Sequence, residues 1–322
     1  MIIECKKTTE LSDAEIRDYC ESFTRVFPKH IRTVDKFKSE YVHSSMGYSY
    51  HILLKNDEGK IVGGYSASPF NYEIDNKTVL IASGADFMIE REYRNDIRNV
   101  IGLIKSTESY LKENGVACLY GFPNEYSYKL NLSLMKMKAI TSLDTYILPL
   151  KIGDAKPSLK LLNPFSWLAS EILLFLSYFD LSSKELITKI RKKRPEFDEY
   201  RYKWYNPDDY KKYQNDRFKC VWKISQFEGV KACFLIDIFP YSKRNFGEAV
   251  RKMVSAERDK VGIFLYVGNL PSHPISMIKV PHKIEPKTIR FVAKVLDKTQ
   301  MDEADMLEGS NWDLNLSSYD LV

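Results

Sequence analysis

The sequence predicts an α/β chain, of the mixed-sheet α+β kind, in which one pattern of strands and helices occurs twice. Three observations carry this. Apolar runs with strand character, separated by turn residues, fill positions 51–89. The apolar period then changes to that of a helix over 95–114, and a short apolar strand follows. The same order returns between 218 and 267. The repeat lies in the order of elements, not in residue identity, and it implies two similar halves in tandem.

In order along the chain, HILLK from His51 is a strand, and Asn56, Asp57, Glu58 and Gly59 turn it. IVGGYSA follows, Asp75 and Asn76 make the next turn, and VLIASGADFMI completes an antiparallel meander. From Asn95 to Asn114 the residues Ile97, Val100, Ile101, Ile104 and Leu111 share one helical face, with Gly115 just past the end as a C-cap. The strand VACLYGF, a helix opening near Asn124 and the strand TYILPL close the first half. The second half repeats the order with FKCVWKISQ, a turn at Glu228 and Gly229, VKACFLIDIF, a helix from about Arg244 to Arg258, and VGIFLYV. A helical stretch is expected after Asn269, and strands near TIRFVAKVL and NWDLNL end the chain. The expected division is a first domain over 1–150, a helical linker over 151–195 and a second domain over 196–322.

The linker contains LKLLNPFSWLASEILLFLSYFDL, interrupted by Asn163, Pro164, Ser170 and Glu171. No run reaches the ~18 to 20 apolar residues of a spanning helix. The expectation is a linker helix buried between two domains. The alternative is an interfacial helix anchored by Lys192, Lys193 and Arg194, which leaves peripheral membrane contact open.

Composition narrows the class. With 44% hydrophobic residues, 21 Tyr and 17 Phe, the chain has the material for cores and does not read as disordered. A formal charge of +5 with the two signs interspersed shows no stripe to neutralise phosphates, so nucleic acid is not the expected partner. Five cysteines, widely spaced and without CxxC pairs, read as reduced thiols. The opening MIIECKKTTELSDAE lacks a signal-peptide core, and the expected location is cytoplasmic. HExxH, GxSxG, a Walker lysine and paired cysteines are all missing from the sequence, and no metal site is expected.

The segment FMIEREYRNDIRNVIGLIKSTESYLKENGVACLYGFPNEYS resembles the acyl-CoA-binding core of the GNAT (Gcn5-related N-acetyltransferase) superfamily. In that family the turn before the helix usually reads Arg or Gln, two residues, Gly, one residue, Gly or Ala, so that helix N-H groups approach the CoA pyrophosphate. Arg94 fills the first position, Ile97 and Asn99 stand at the two small positions, and Asp96 and Arg98 lie between. The resemblance implies two tandem GNAT-like domains and acetyl-CoA or another acyl-CoA as co-substrate. It assigns cofactor contacts to the main chain of Phe87, Met88 and Ile89 and to the turn residues Arg94, Asn95, Ile97, Arg98 and Asn99. The run Gly121, Phe122, Pro123, Asn124 is similar to a GNAT branch associated with surface-polysaccharide biosynthesis. There Asn124 is a ligand candidate and equally a helix N-cap. Counting forward, Asn131 stands where many members carry the Tyr that protonates the departing thiolate, and Met135 and Lys136 replace a Gly-aromatic pair. Tyr128, or Tyr126, is the substitute acid. The ending, with Trp312, Asp313 and Asp320, resembles the terminal strand of tandem members. The second half's turn, PYSKRNFGEAV, keeps only Gly247 of the glycine spacing.

Acyl transfer to an amine needs a base near the nucleophile and donors for the developing oxyanion. Asp86, inside an apolar strand, is the best-placed carboxylate; Glu90 shares its face by alternation, and His51 is a further base candidate. The resulting expectation is an acyl-CoA-dependent N-acyltransferase acting on an amino sugar or other small amine, with surface-polysaccharide synthesis as its setting. Two rivals stand beside it: a degenerate GNAT-like scaffold that binds without transferring, and a Fem-type aminoacyl transferase.

Overall fold

A computed structural model describes residues 1–204, 210–285 and 287–319; Asp320, singled out above, lies outside them. The chain opens with β1 (Ile2–Lys7) and α1 (Asp13–Val26). Ser12 accepts from the Glu15 amide while the Glu15 carboxylate accepts from the Ser12 amide, and this reciprocal cap starts α1. After the single turn α2 (Val34–Phe37) comes the expected meander of β2 (Tyr50–Lys55), β3 (Ile61–Ile74) and β4 (Lys77–Ile89). Its second turn holds Asp75 and Asn76 at φ 49° and 64°, a left-handed pair that short polar side chains tolerate. Next are α3 (Ile97–Glu113), β5 (Cys118–Gly121), α4 (Glu125–Ser133), β6 (Lys138–Ser142) and β7 (Asp144–Pro149). The middle of the chain forms α5 (Ile152–Ala155), α6 (Asn163–Leu176), β8 (Ile190–Lys192) and α7 (Arg194–Glu199). Strands β9 (Lys211–Gln214), β10 (Lys219–Phe227) and β11 (Val230–Phe239) lead into α8 (Lys243–Glu257). The last elements are β12 (Ile263–Gly268), β13 (Ile278–Lys279), β14 (Arg290–Val295) and α9 (Glu303–Leu307).

Two compact units result. Unit 1 comprises 1–141, 189–207 and 290–311, and unit 2 comprises 142–188, 208–289 and 312–322. The sheet of unit 1 runs β1-β2-β3-β4-β5-β14-β6, with β8 also on β3. Helix α3 packs on one face, over Tyr50, Ile52, Leu54 and Leu119, and α1 and α2 pack on the other, over Leu53, Ile61 and Met88. The period-two alternation of β2 separates these two cores. The sheet of unit 2 runs β13-β7-β12-β11-β10-β9, with α8 packed through Phe246, Val250 and Met253 on Leu235 and Phe264.

The two sheets share one order of six strands, to which the first adds β1 and β8. In each, three antiparallel strands lead into a helix, and the next strand returns parallel to the third: β4 with β5, and β11 with β12. The strand beyond that parallel pair comes from the other half of the sequence. Residues 290–295 lie antiparallel to β5 in the first sheet, and residues 144–149 lie antiparallel to β12 in the second. Against the expected division into 1–150, 151–195 and 196–322, the units therefore interleave along the chain.

Three expectations are corrected. Among the described residues between Asn269 and Ile289 no α-helix forms; the chain there makes irregular turns, β13 and a 3₁₀ turn at His282–Ile284. The NWDLNL stretch forms isolated bridges, Asn315 with Gly268 among them, between 3₁₀ turns, and its apolar alternation reflects the complete burial of Trp312, Leu314 and Leu316. The apolar linker helix is not buried: of α6 only Ser170 and Leu174 are, while Phe165, Leu168, Ile172 and Phe175 face outward. By length and composition alone, Pro157–Phe179 is also the one helical stretch among the described residues long and apolar enough to cross a membrane.

Candidate active site

The site in unit 1 forms where β4 leaves β5. The parallel pairing of the two strands covers only Ile81 with Cys118, Ala82 with Leu119 and Ser83 with Tyr120. Beyond Ser83 the register between β3 and β4 shifts, so that Asp86 and Phe87 together oppose Tyr65, and Asp86 takes φ 53°. This is a β-bulge, which bends a strand and re-aims its side chains. The Glu90 amide donates to the Val62 carbonyl on β3, so by alternation the N-H and C=O of Ile89 point the other way, toward the opening beside β5. The Arg94 guanidinium donates to that Ile89 carbonyl from Nε at 3.2 Å and Nη2 at 2.8 Å.

The bulge turns Asp86 onto the α1–α2 face, into a cluster that sequence reading missed. Tyr41 donates to its Oδ2 at 2.6 Å and Tyr19 at 3.1 Å, and Arg32 Nη2 lies 2.9 Å from Oδ1 and 2.8 Å from Oδ2. Arg32 also pairs with Glu40 and stacks over Phe23, its carbon 4.3 Å from the ring centre. Tyr19, Phe37, Tyr41 and His51 are wholly buried. Burial, followed by the Asp86 charge, pushes both phenols well above their ordinary range, so they act as donors. His51 sits one layer further in, with Nδ1 2.9 Å from Ser66 Oγ and Nε2 2.9 Å from Thr8 Oγ1. The Ser66 hydroxyl also lies 2.7 Å from the Tyr19 hydroxyl and so links the imidazole to the Asp86 cluster. Burial, helped by Arg32, depresses the imidazole to about 3 and keeps it neutral near pH 7. Glu90 does share the Asp86 face, where Arg25 and Ser22 donate to it at 2.8 Å.

The remaining candidates of the turn are placed as follows. Met88 packs in the α1–α2 core, and Phe87 meets Tyr65 edge-on on the α3 face. Asn95 is exposed. Asp96 caps α3, accepting from the Arg98 amide at 3.0 Å, and the exposed Arg98 guanidinium folds back onto its carboxylate at 2.7 Å. Asn99 is buried and donates to the Tyr93 carbonyl, whereas Ile97 points to solvent. An Asp side chain thus holds the helix N-terminus that the resemblance assigned to a pyrophosphate. Asn124 is an exposed N-cap of α4, accepting from the Ser127 amide at 2.9 Å. The ring of Tyr128 lies under the Arg290 guanidinium, 4.7 Å away, and packs against the α3-side core, while Tyr126 is in solvent. Asn131 donates to the Ser127 carbonyl within α4.

Unit 2 repeats the bulge on β11, where the register shifts between Val221 and Trp222 and leaves Ile236 extra. Next to it Asp237 is buried and accepts from Asn315 Nδ2 at 2.9 Å. Here the chain covers its own helix N-terminus. Ser242 caps α8, the Arg244 amide donates to the Ser182 carbonyl, and Gly247 leaves room for the Ser177 carbonyl, which a Cβ would meet at 3.3 Å.

A bulged third strand that parts from its parallel neighbour before a helix is the signature of the GNAT fold, and this chain carries it twice. Solved structures of similar fold include a conserved protein of unknown function from Enterococcus faecalis (TM-score 0.58, 11% identity, 92% of this chain and 73% of that one). GCN5-related N-acetyltransferases from Anabaena variabilis (0.57, 14%, 91% and 73%) and Kribbella flavida (0.57, 13%, 92% and 72%) are similar to the same extent. No protein-family model matches the sequence, and no curated protein does.

Proposed function

We propose that unit 1 is an acyl-CoA-dependent N-acyltransferase for a small amine such as an amino sugar, working in the cytoplasm in surface-polysaccharide synthesis. The observation that carries this reading is the pairing of the β4 bulge with the outward-facing Ile89 N-H, at the start of the opening beside β5. That N-H is placed to donate to a thioester carbonyl, with no special side chain required. In the transfer the amine nitrogen attacks the thioester carbon, the C-N bond forms, the C-S bond breaks, and the amine proton ends on the thiol. Arg98 reaches a phosphate by leaving Asp96. The pair is exposed and screened by solvent, so the cost is small. Asp96 itself opposes the anion.

The specific observation that favours the scaffold reading is the state of Asp86. Two phenols and a guanidinium already bond its carboxylate, and Tyr19, Phe37 and Tyr41 pack the α1–α2 side where an amine would reach it.

Thermal unfolding with millimolar acetyl-CoA, for the native chain and for Asp96→Ser, tests the proposal. Serine keeps the cap and removes the charge. Binding raises the melting temperature, and the shift is larger for the variant, which no longer sets a carboxylate against the anion. No shift in either protein sinks the acyl-CoA assignment. A shift without thiol release on a panel of amino sugars selects the scaffold.

A further inference from the structure

The helical stretch within the linker presents its apolar side to solvent and its polar side to the protein, the reverse of an ordinary surface helix. Leu161, Phe165, Leu168, Ile172, Phe175 and Phe179 recur at intervals of four and three, and all are exposed, from 49% for Ile172 to 89% for Leu161. Leu162 and Leu176 widen the stripe on one side, and Trp167 and Tyr178 flank it on the other. Inward lie Ser166, Ser170 and Ser177, with Leu173 and Leu174 against the unit 2 core. The exposed side chains present on the order of 1,000 Å² of mostly apolar surface, beyond the few hundred that soluble monomers show.

The geometry points to an occupant: we propose that this face seats unit 2 on an anionic lipid surface, with the helix lying flat in the headgroup and acyl boundary. Two observations select lipid over a second copy of the chain. On α6, at 100° per residue, Phe165, Leu168, Ile172, Phe175 and Leu176 span about 100°, and Trp167 on the flank widens the apolar surface beyond the narrow a/d seam that one partner helix covers. The charge around its start is also mainly basic. Lys151, Lys156 and Lys160 are exposed there against one exposed carboxylate, Asp154, and between residues 155 and 179 the one carboxylate, Glu171, is paired with Arg258. Such a basic flank beside Phe, Trp and Leu suits a negative leaflet. Flat seating follows from how the helix is held. The Gly153 amide donates to Asn163 near its start, Arg251 donates to the Ser177 hydroxyl at its end, and Leu174 is locked in the core, so crossing the bilayer would tear it from the unit. The inference stands whether or not unit 1 transfers acyl groups.

The test is co-sedimentation of the full chain with vesicles of phosphatidylcholine alone and of phosphatidylcholine with a third phosphatidylglycerol. The native chain is expected on the anionic vesicles and at least tenfold less on the neutral ones. The double variant Phe165→Glu/Ile172→Glu, altered at exposed positions and checked for an unchanged melting temperature, is expected to lose binding tenfold or more. Lys156→Glu/Lys160→Glu is expected to lose the preference for phosphatidylglycerol. Failure of the native chain to sediment overturns the proposal, as does undiminished binding of the Phe165/Ile172 variant. A dimer that this variant dissolves, with no vesicle binding, assigns the face to a second copy and overturns it too.

Discussion

Replacing Asp86 with Asn distinguishes a structural hub from a free catalytic base. Asparagine keeps the shape but removes the charge that Arg32 meets at 2.8 Å, and it turns one acceptor oxygen into a donor facing a donor phenol. Arg32, with 6% of its side chain exposed, keeps Glu40 and its stacking on Phe23. The cost therefore sits at the lower end of the 3–5 kcal/mol typical of broken buried pairs, about 3 kcal/mol. For a unit of this size that lowers the melting temperature by roughly 6–12 °C. Urea unfolding of Asp86→Asn, Arg32→Met and the double variant gives the coupling directly, expected at about 1–3 kcal/mol because the two residues share one network. A loss below about 0.5 kcal/mol, the range of ordinary surface changes, would refute the buried cluster as described. Such an outcome, combined with abolished acyl transfer, would return Asp86 to the role of base.

Two further outcomes follow from the geometry. His51 is held at about 3 in the folded chain and titrates near 6.5 when unfolded, so its contribution is whole above pH 6.5 and lost as pH falls toward 3. Between pH 6.5 and 4.5 the native chain loses about 2 kcal/mol that His51→Gln does not, and parallel urea-midpoint profiles of the two proteins would contradict the buried neutral imidazole. In unit 2, Gly268→Ala places a Cβ 2.6 Å from the Leu314 carbonyl oxygen and 3.0 Å from the Asn315 Cα; overpacking against backbone costs about 1–3 kcal/mol, read as a lowered melting temperature.

Much of the fold was legible because its central strands and helices obey local periodicity. The meander over β2 to β4, the C-capped α3 and the β10-β11-α8-β12 run emerge from alternation, turn residues and one glycine. The partnership of strands was not legible. Residues 144–149 and 290–295 have the same apolar character and the same place in the element order whichever sheet receives them, so no local signal reports the exchange. The Asp86 cluster was hidden for a similar reason. Asp86 stands out as a carboxylate in an apolar strand, but Tyr19, Arg32 and Tyr41 lie 45 to 67 residues away in sequence and meet it only because a bulge re-aims one side chain. Of the turn, sequence reading could name Arg94 and Arg98 as candidates. That Arg94 turns to a strand carbonyl and Arg98 to its neighbour Asp96 is a matter of rotamers.

The exchange of strands bears on how such a chain can change over time. Had each half kept its own last strand, either could be lost by deletion, or drift to ruin, without harm to its twin. Here a deletion that removes residues 290–295 opens the first sheet between β5 and β6, and one that removes 144–149 opens the second between β12 and β13. An opened sheet exposes unpaired edges that invite aggregation. A half whose chemistry has lapsed is thereby kept under selection as the supplier of its sibling's missing strand.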